Sequence, residues 1–148
     1  MKKILIICLF FIASCAYQPI FLNKDLKNFE FNKIISEGEK RINEQVINSA
    51  GIKENGFDDS LNELLLRTTF NVEATSKNSK GQVQSYRSII TISVIITKNN
   101  EIIKRKKFSD QFSYNKKDNR SELIQYQNEI KENLVDKTLE EIVLFLNL

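Results

Sequence analysis

Between Leu64 and Tyr114 the chain alternates apolar and polar residues through three consecutive runs, and this constrains the fold more than any other feature. In the first run Leu64, Leu66, Phe70 and Val72 share one face, with Arg67, Thr69, Asn71 and Glu73 on the other. In the second, about Gln82 to Thr97, Tyr86, Ile90, Ile92, Val94 and Ile96 oppose Arg87, Thr91, Ser93 and Thr97. A period of two places every second side chain on the same side of a strand. SKNSKG (76–81) and KNN (98–100) are polar turn segments between the runs. The third run brings Ile102, Phe108, Phe112 and Tyr114 together, but Lys104 and Lys106 interrupt that face. A bulge or an exposed strand end is expected there.

Helical periodicity flanks this meander. Phe29-Glu30-Phe31-Asn32, with Ile34 and Ile35, predicts a first strand, and Ser36 three residues before Glu39 has capping-box spacing. The helix it opens carries Ile42, Val46, Ile47 and Ala50 on one face and stops at Gly51. Residues 51–60 are expected to form a loop. Asn119 with Glu122 repeats the cap spacing before a helix of about 120–146, whose stripe includes Leu123, Tyr126, Ile130, Leu134, Ile142, Phe145 and Leu146. The expected order is β-α-β-β-β-α. The expected fold is α+β: a two-layer α/β sandwich, with a four-stranded mixed sheet and two amphipathic helices on one face. The opposite face would be semi-polar.

The N-terminus has a different character. Lys2 and Lys3 precede nine unbroken apolar residues, Ile4 to Ile12. A spanning helix needs about 20, so this run has the form of a secretory leader's apolar segment. Ile12-Ala13-Ser14-Cys15 matches a bacterial lipobox. It predicts a leader at 1–14, a lipidated tether at 15–28 starting at Cys15, and a single α/β domain at 29–148. The cofactor expectation is none beyond covalent diacylglycerol and an N-acyl chain on Cys15. A thiolate is the strong nucleophile that such a transfer requires. Two or more acyl chains hold a protein to a bilayer where one does so only marginally.

Composition then excludes several chemistries. Of the two cysteines, Cys8 would leave with the leader and Cys15 would be acylated, so no thiol or disulfide remains. There is no His, which removes Ser-His and Cys-His catalysis and the usual zinc sites. Asp58-Asp59 and Glu140-Glu141 are adjacent carboxylates of a surface kind. Loss of Lys2 and Lys3 leaves 20 basic against 19 acidic residues, a net charge of +1 with no nucleic-acid footprint. A non-enzymatic protein is expected.

The leader, the Cys15-Ala16-Tyr17-Gln18-Pro19 start, the strand-helix unit, the long meander and the single C-terminal helix together resemble the LptE family of LPS-assembly lipoproteins. Gly81-Gln82 with Tyr86, Phe112 to Asn115, and Lys117-Asp118-Asn119 are the local matches. The resemblance implies a lipid-anchored protein on the periplasmic side of the outer membrane; Ala16, where Asp would favour inner-membrane retention, agrees. It implies a plug and assembly partner inside the β-barrel LptD, aiding delivery of lipopolysaccharide to the outer leaflet. It also implies lipid A phosphate contacts from the turn after the first long strand and from the segment before the last helix. Here those regions hold Lys77 and Lys80, and Lys116 and Lys117; solvated loop lysines are the plain alternative. Lys104-Arg105-Lys106-Lys107 is expected to protect an edge strand, and the aromatic set Phe70, Tyr86, Phe108, Phe112 and Tyr114 to pack the core. An auxiliary lipoprotein of a periplasmic phospholipid-transport system remains the second reading. An apolar groove open to solvent would favour it.

Overall fold

A computed structural model of the chain describes residues 28–58 and 60–148. The leader at 1–14, Cys15, almost all of the 15–28 tether, and Asp59 lie outside the described residues. The elements are β1 (Phe29–Phe31), β2 (Lys33–Gly38), α1 (Lys40–Ser49), β3 (Ile52–Glu54), β4 (Glu63–Lys77), β5 (Val83–Lys98), β6 (Glu101–Asn115) and α2 (Arg120–Leu146). The main sheet has the order β2-β4-β5-β6, with β2 parallel to β4 and the rest antiparallel. Both helices pack on one face of this mixed four-stranded sheet, giving the expected two-layer α+β sandwich. The order is richer than β-α-β-β-β-α, because β1 and β3 form a separate two-stranded parallel ribbon.

The first strand and its helix cap differ from expectation. The chain breaks at Asn32 into β1 and β2. Ser36 lies inside β2, opposite Leu66, and caps nothing; α1 starts after Glu39. Tertiary pairing overrides the local signal: Lys33–Gly38 align with Glu63–Thr68, using the backbone that a cap would need free. Gly38 then turns the chain at φ +86, where an added Cβ would strike the Thr68 carbonyl oxygen. Asn43 of α1 fastens this crossover. Its amide donates to the Glu37 carbonyl (2.9 Å) and its oxygen accepts from the Thr68 hydroxyl (2.6 Å). Gly51, at φ +68, ends the helix as expected. The expected loop at 51–60 contains β3, whose Ile52 is buried opposite Phe29.

The meander forms as its alternation dictates. Leu64, Leu66, Ile90, Ile92 and Val94 are buried under the helices, beside Phe108. Asn99 and Asn100, both at positive φ, make the two-residue turn between β5 and β6, a conformation Asn tolerates better than most residues. The bulge expected in β6 is present: Ile96 pairs with Lys104 but Thr97 pairs with Ile102, leaving Ile103 extra. One extra residue reverses the faces beyond it. Ile102 therefore shares the outer face with Thr97, rather than joining Phe108, Phe112 and Tyr114 as its spacing predicts. The last helix has the expected bounds, and the Asn119 side chain accepts from Ser121 N–H at 2.8 Å. Its 27 residues extend about 40 Å, and Ile130, Leu134, Val135 and Ile142 seal the core over β5 and β6.

Candidate functional site

Two surfaces remain after the helices cover the inner face. The first is the outer face of the sheet, organised in cross-strand rows. Thr69, Thr91 and Ser109 form one row, with the last two hydroxyls 3.1 Å apart. Asn71, Ile89 and Gln111 form the next, and Glu73, Arg87 and Ser113 a third, in which Arg87 Nε donates to Ser113 at 3.3 Å. Nearer the β5–β6 turn, Glu37, Arg67, Ser93 and Lys107 align, and Arg67 Nε meets the Glu37 carboxylate at 2.7 Å. One row departs from this polar character: Ile35, Leu65 and Ile95 run across three strands to Arg105, with Ile102 one pair further on. Leu65 and Ile95 stand at outer positions of β4 and β5 that the polar side of the alternation does not announce, and Ile89 is a further apolar residue on that side of β5.

The second surface is the end of the sheet where β4 ends and β6 gives way to α2. Antiparallel pairing brings both lysine segments here: Lys77 pairs with Val83, Ser85 pairs with Asn115, and Lys116 N–H donates to the Gln84 carbonyl at 2.8 Å. In the turn, the Asn78 side-chain oxygen accepts from the N–H groups of Lys80 (3.0 Å) and Gln82 (2.9 Å). Lys77, Lys80 and Lys116 are exposed. Lys117 has an internal partner as well, its Nζ lying 4.9 Å from the Tyr126 ring centroid. That ring stands edge-on to Tyr114 at 5.6 Å, Tyr114 stacks with Tyr86 at 5.9 Å, and the Tyr114 hydroxyl lies 3.1 Å from Ser88 Oγ. Arg120, at the first position of α2, adds a cation that the sequence reading did not single out. The positive end of the helix dipole lies alongside it. Lys77, Lys80, Lys116, Lys117 and Arg120 thus gather five cations at one end of the sheet.

The basic run on β6 divides between two jobs. Lys106 Nζ sits 4.8 Å from the Phe108 ring and 6.0 Å from that of Phe145, and Lys104 sits 5.8 Å from Phe145. These two cations therefore lie at the C-terminal end of α2, which has no basic residue of its own in its last turn. Arg105 and Lys107 point to the outer face.

Of the aromatic set, Phe108 and Tyr114 are buried and Phe70 and Tyr86 pack against the core, as expected. Phe112 differs. It is 47% exposed and lines a groove of about 270 Å³ between β6 and α2, with Tyr126, Ile130 and Leu134. Lys137 meets Asp110 at 2.8 Å in the same groove, and that hydrogen bond raises the lysine's pKa.

Asp58 folds onto Ser60, bonding its N–H (2.9 Å) and hydroxyl (2.5 Å), which lowers its pKa. Among the described residues, no three Asp, Glu or Cys side chains converge on a possible metal position. No described helix is long and apolar enough to cross a membrane.

No family model matches the sequence, and no curated protein matches it either. Solved structures do match in shape. The rare lipoprotein B from Shewanella oneidensis is similar at TM-score 0.50 and 11% identity, over 76% of this chain and 90% of that one. A putative lipoprotein from Caulobacter crescentus CB15 is similar at TM-score 0.51 and 15% identity, over 76% and 86%. A minor lipoprotein from Acinetobacter baumannii is similar at TM-score 0.52 and 12% identity, over 80% and 92%. The chain thus has the fold found in these bacterial lipoproteins.

Proposed function

We propose that this chain is an envelope lipoprotein, anchored through acylated Cys15 on the periplasmic side of the outer membrane. There it acts as plug and assembly partner of the LPS-inserting β-barrel, LptD, and aids delivery of lipopolysaccharide to the outer leaflet. The observation that carries the reading is the two-faced sheet. Its inner side packs beneath α1 and α2, and its outer side is mostly rows of hydroxyl, amide and charged groups, broken by the Ile35, Leu65 and Ile95 row. Such a face suits the polar lumen of a large barrel. The lipobox, the LptE-like element order and the fold shared with three lipoproteins support it. In this reading Lys77, Lys80, Lys116 and Lys117 meet lipid A phosphates by charge-assisted hydrogen bonds, and the protein works by fitting, not by catalysis.

The Phe112 groove is the observation that favours the phospholipid-transport alternative. At about 270 Å³ it falls below the 300–1,000 Å³ of ordinary small-ligand pockets, so it is too small for a two-chain lipid, and we keep the barrel reading.

The test is a pull-down of the tagged full-length protein from outer membranes, with mass spectrometry of its companions. Stoichiometric recovery of the barrel is expected. A protein that runs alone in detergent, with barrel assembly unchanged on its depletion, would overturn the reading.

A further inference from the structure

We infer that the end of the domain bearing the β5–β6 turn rests on the membrane, with Phe57, Ile102, Ile103 and Leu144 entering an anionic phospholipid interface and Lys98 and Arg105 meeting its headgroups. The inference rests on the anchor of the proposed function, Cys15, and concerns the chain before it enters the barrel.

Topology brings these residues together. β4 begins, β5 ends, β6 begins and α2 ends at this pole, opposite the end that carries Lys77, Lys80, Lys116 and Lys117. The described chain also starts here, since Phe29 N–H donates to Gly51 at the C-terminal end of α1. Cys15 lies 14 residues before Phe29, within roughly 50 Å even if extended. An acylated Cys15 would therefore tether the domain to a bilayer by this pole and not by the lysine end.

The side chains suit that surface. Phe57 is fully exposed at the tip of the β3–β4 loop, while Asp58 turns away onto Ser60. Ile102 and Ile103 are 51% and 49% exposed, because the bulge in β6 takes both out of the core face. Leu144 is 63% exposed near the end of α2. Exposed apolar side chains bordered by cations are the composition of an interfacial contact; the carboxylates beside Lys98 are Glu101, its partner in register, and Asp58, which is bonded to Ser60. The bulge gives the arrangement its logic: without it, Ile102 would turn to the core face and the pole would lose an apolar group.

The chain has no Trp, so single Trp probes report on position directly. Phe57→Trp, Ile103→Trp and, as a control toward the other end, Val72→Trp are made in the full-length protein. Each is reconstituted in phosphatidylethanolamine–phosphatidylglycerol vesicles with and without brominated acyl chains. Palmitate labelling of the same preparations reads the anchor separately. The expected result is a blue shift and bromine quenching of the first two probes and neither for Val72→Trp. Label present with Phe57→Trp and Ile103→Trp unquenched, or with all three quenched alike, would overturn the membrane pole and leave the anchor standing. Label absent with the two pole probes still quenched would support the pole and remove the anchor. If the pole probes stay silent in lipid but shift when the purified barrel or a concentrated second copy is added, the surface belongs to protein and the inference falls.

Discussion

Thr68 on β4 donates its hydroxyl to the side-chain oxygen of Asn43 on α1 at 2.6 Å, and both side chains are buried. The same Asn43 holds the Glu37 carbonyl, so one amide ties α1 to both strands of the parallel pair. Leaving buried polar groups unpaired costs about 1–3 kcal/mol. Asn43→Ala, which strands two partners, is expected at the upper end of that range. Thr68→Val, which strands one, is expected to cost about 1 kcal/mol. Urea titration of both variants checks the order; equal or reversed losses would mean that the bonds are not what holds the crossover.

Two glycines with similar φ make a sharper contrast. At Gly38 a methyl group would meet a backbone carbonyl, whereas at Gly81 it would meet open space, and both sit at positive φ. Gly81→Ala should cost about 1 kcal/mol, the left-handed strain alone. Gly38→Ala should cost more than about 2 kcal/mol, or prevent folding, because the clash adds to that strain. Thermal melts of the pair give the difference.

Lys117 is both a site residue of the proposed function and a partner of Tyr126. Lys117→Ala should cost less than about 1 kcal/mol at this exposed position. Lys80→Glu and Lys116→Glu should leave stability unchanged while lowering lipopolysaccharide capture. Capture that is unaltered by the two reversals would remove these lysines from the binding role.

Asp136 gives a pH signature. Asp136 stands at the surface, where the protein around its carboxyl displaces some water and pushes its pKa above the ordinary 3.8, and Glu132 adds to the shift. The folded chain therefore holds this proton to higher pH than the unfolded chain does. The corresponding stability is fully present below about pH 3.8 and is lost as pH rises through the folded-state value. Asp136→Asn should raise the urea midpoint near neutral pH and leave it unchanged below that window. A gain of equal size at both pH values would contradict the assignment.

The parts of the fold set by unbroken periodicity could be read from the residues. Period two from Leu64 to Tyr114 predicts the meander, and the three- and four-residue spacing after Asn119 predicts α2 with its cap. Where two signals competed, the weaker won locally and lost globally. Ser36 and Glu39 imitate a cap, but a six-residue pairing with β4 takes that segment into the sheet. β1 follows the alternation at Phe29–Phe31, whereas β3 is three residues in an expected loop, too short to show a period and held by pairing with β1. The convergence of Lys77, Lys80, Lys116 and Lys117 follows from antiparallel topology once the strands are known. The apolar row of Ile35, Leu65 and Ile95 does not, because one or two apolar residues per strand on a mostly polar side set no pattern until the register aligns them.

The parallel pairing of β2 with β4 has a mechanical consequence. Tension arriving from the N-terminal segment meets β1 first, paired in parallel with β3, and then β2, whose six residues all pair with β4. Such a pull strains the whole set of rungs at once, sliding one strand past the other instead of unzipping them singly. A tether leaving from Phe29 thus loads paired strands from their N-terminal ends, not a free loop.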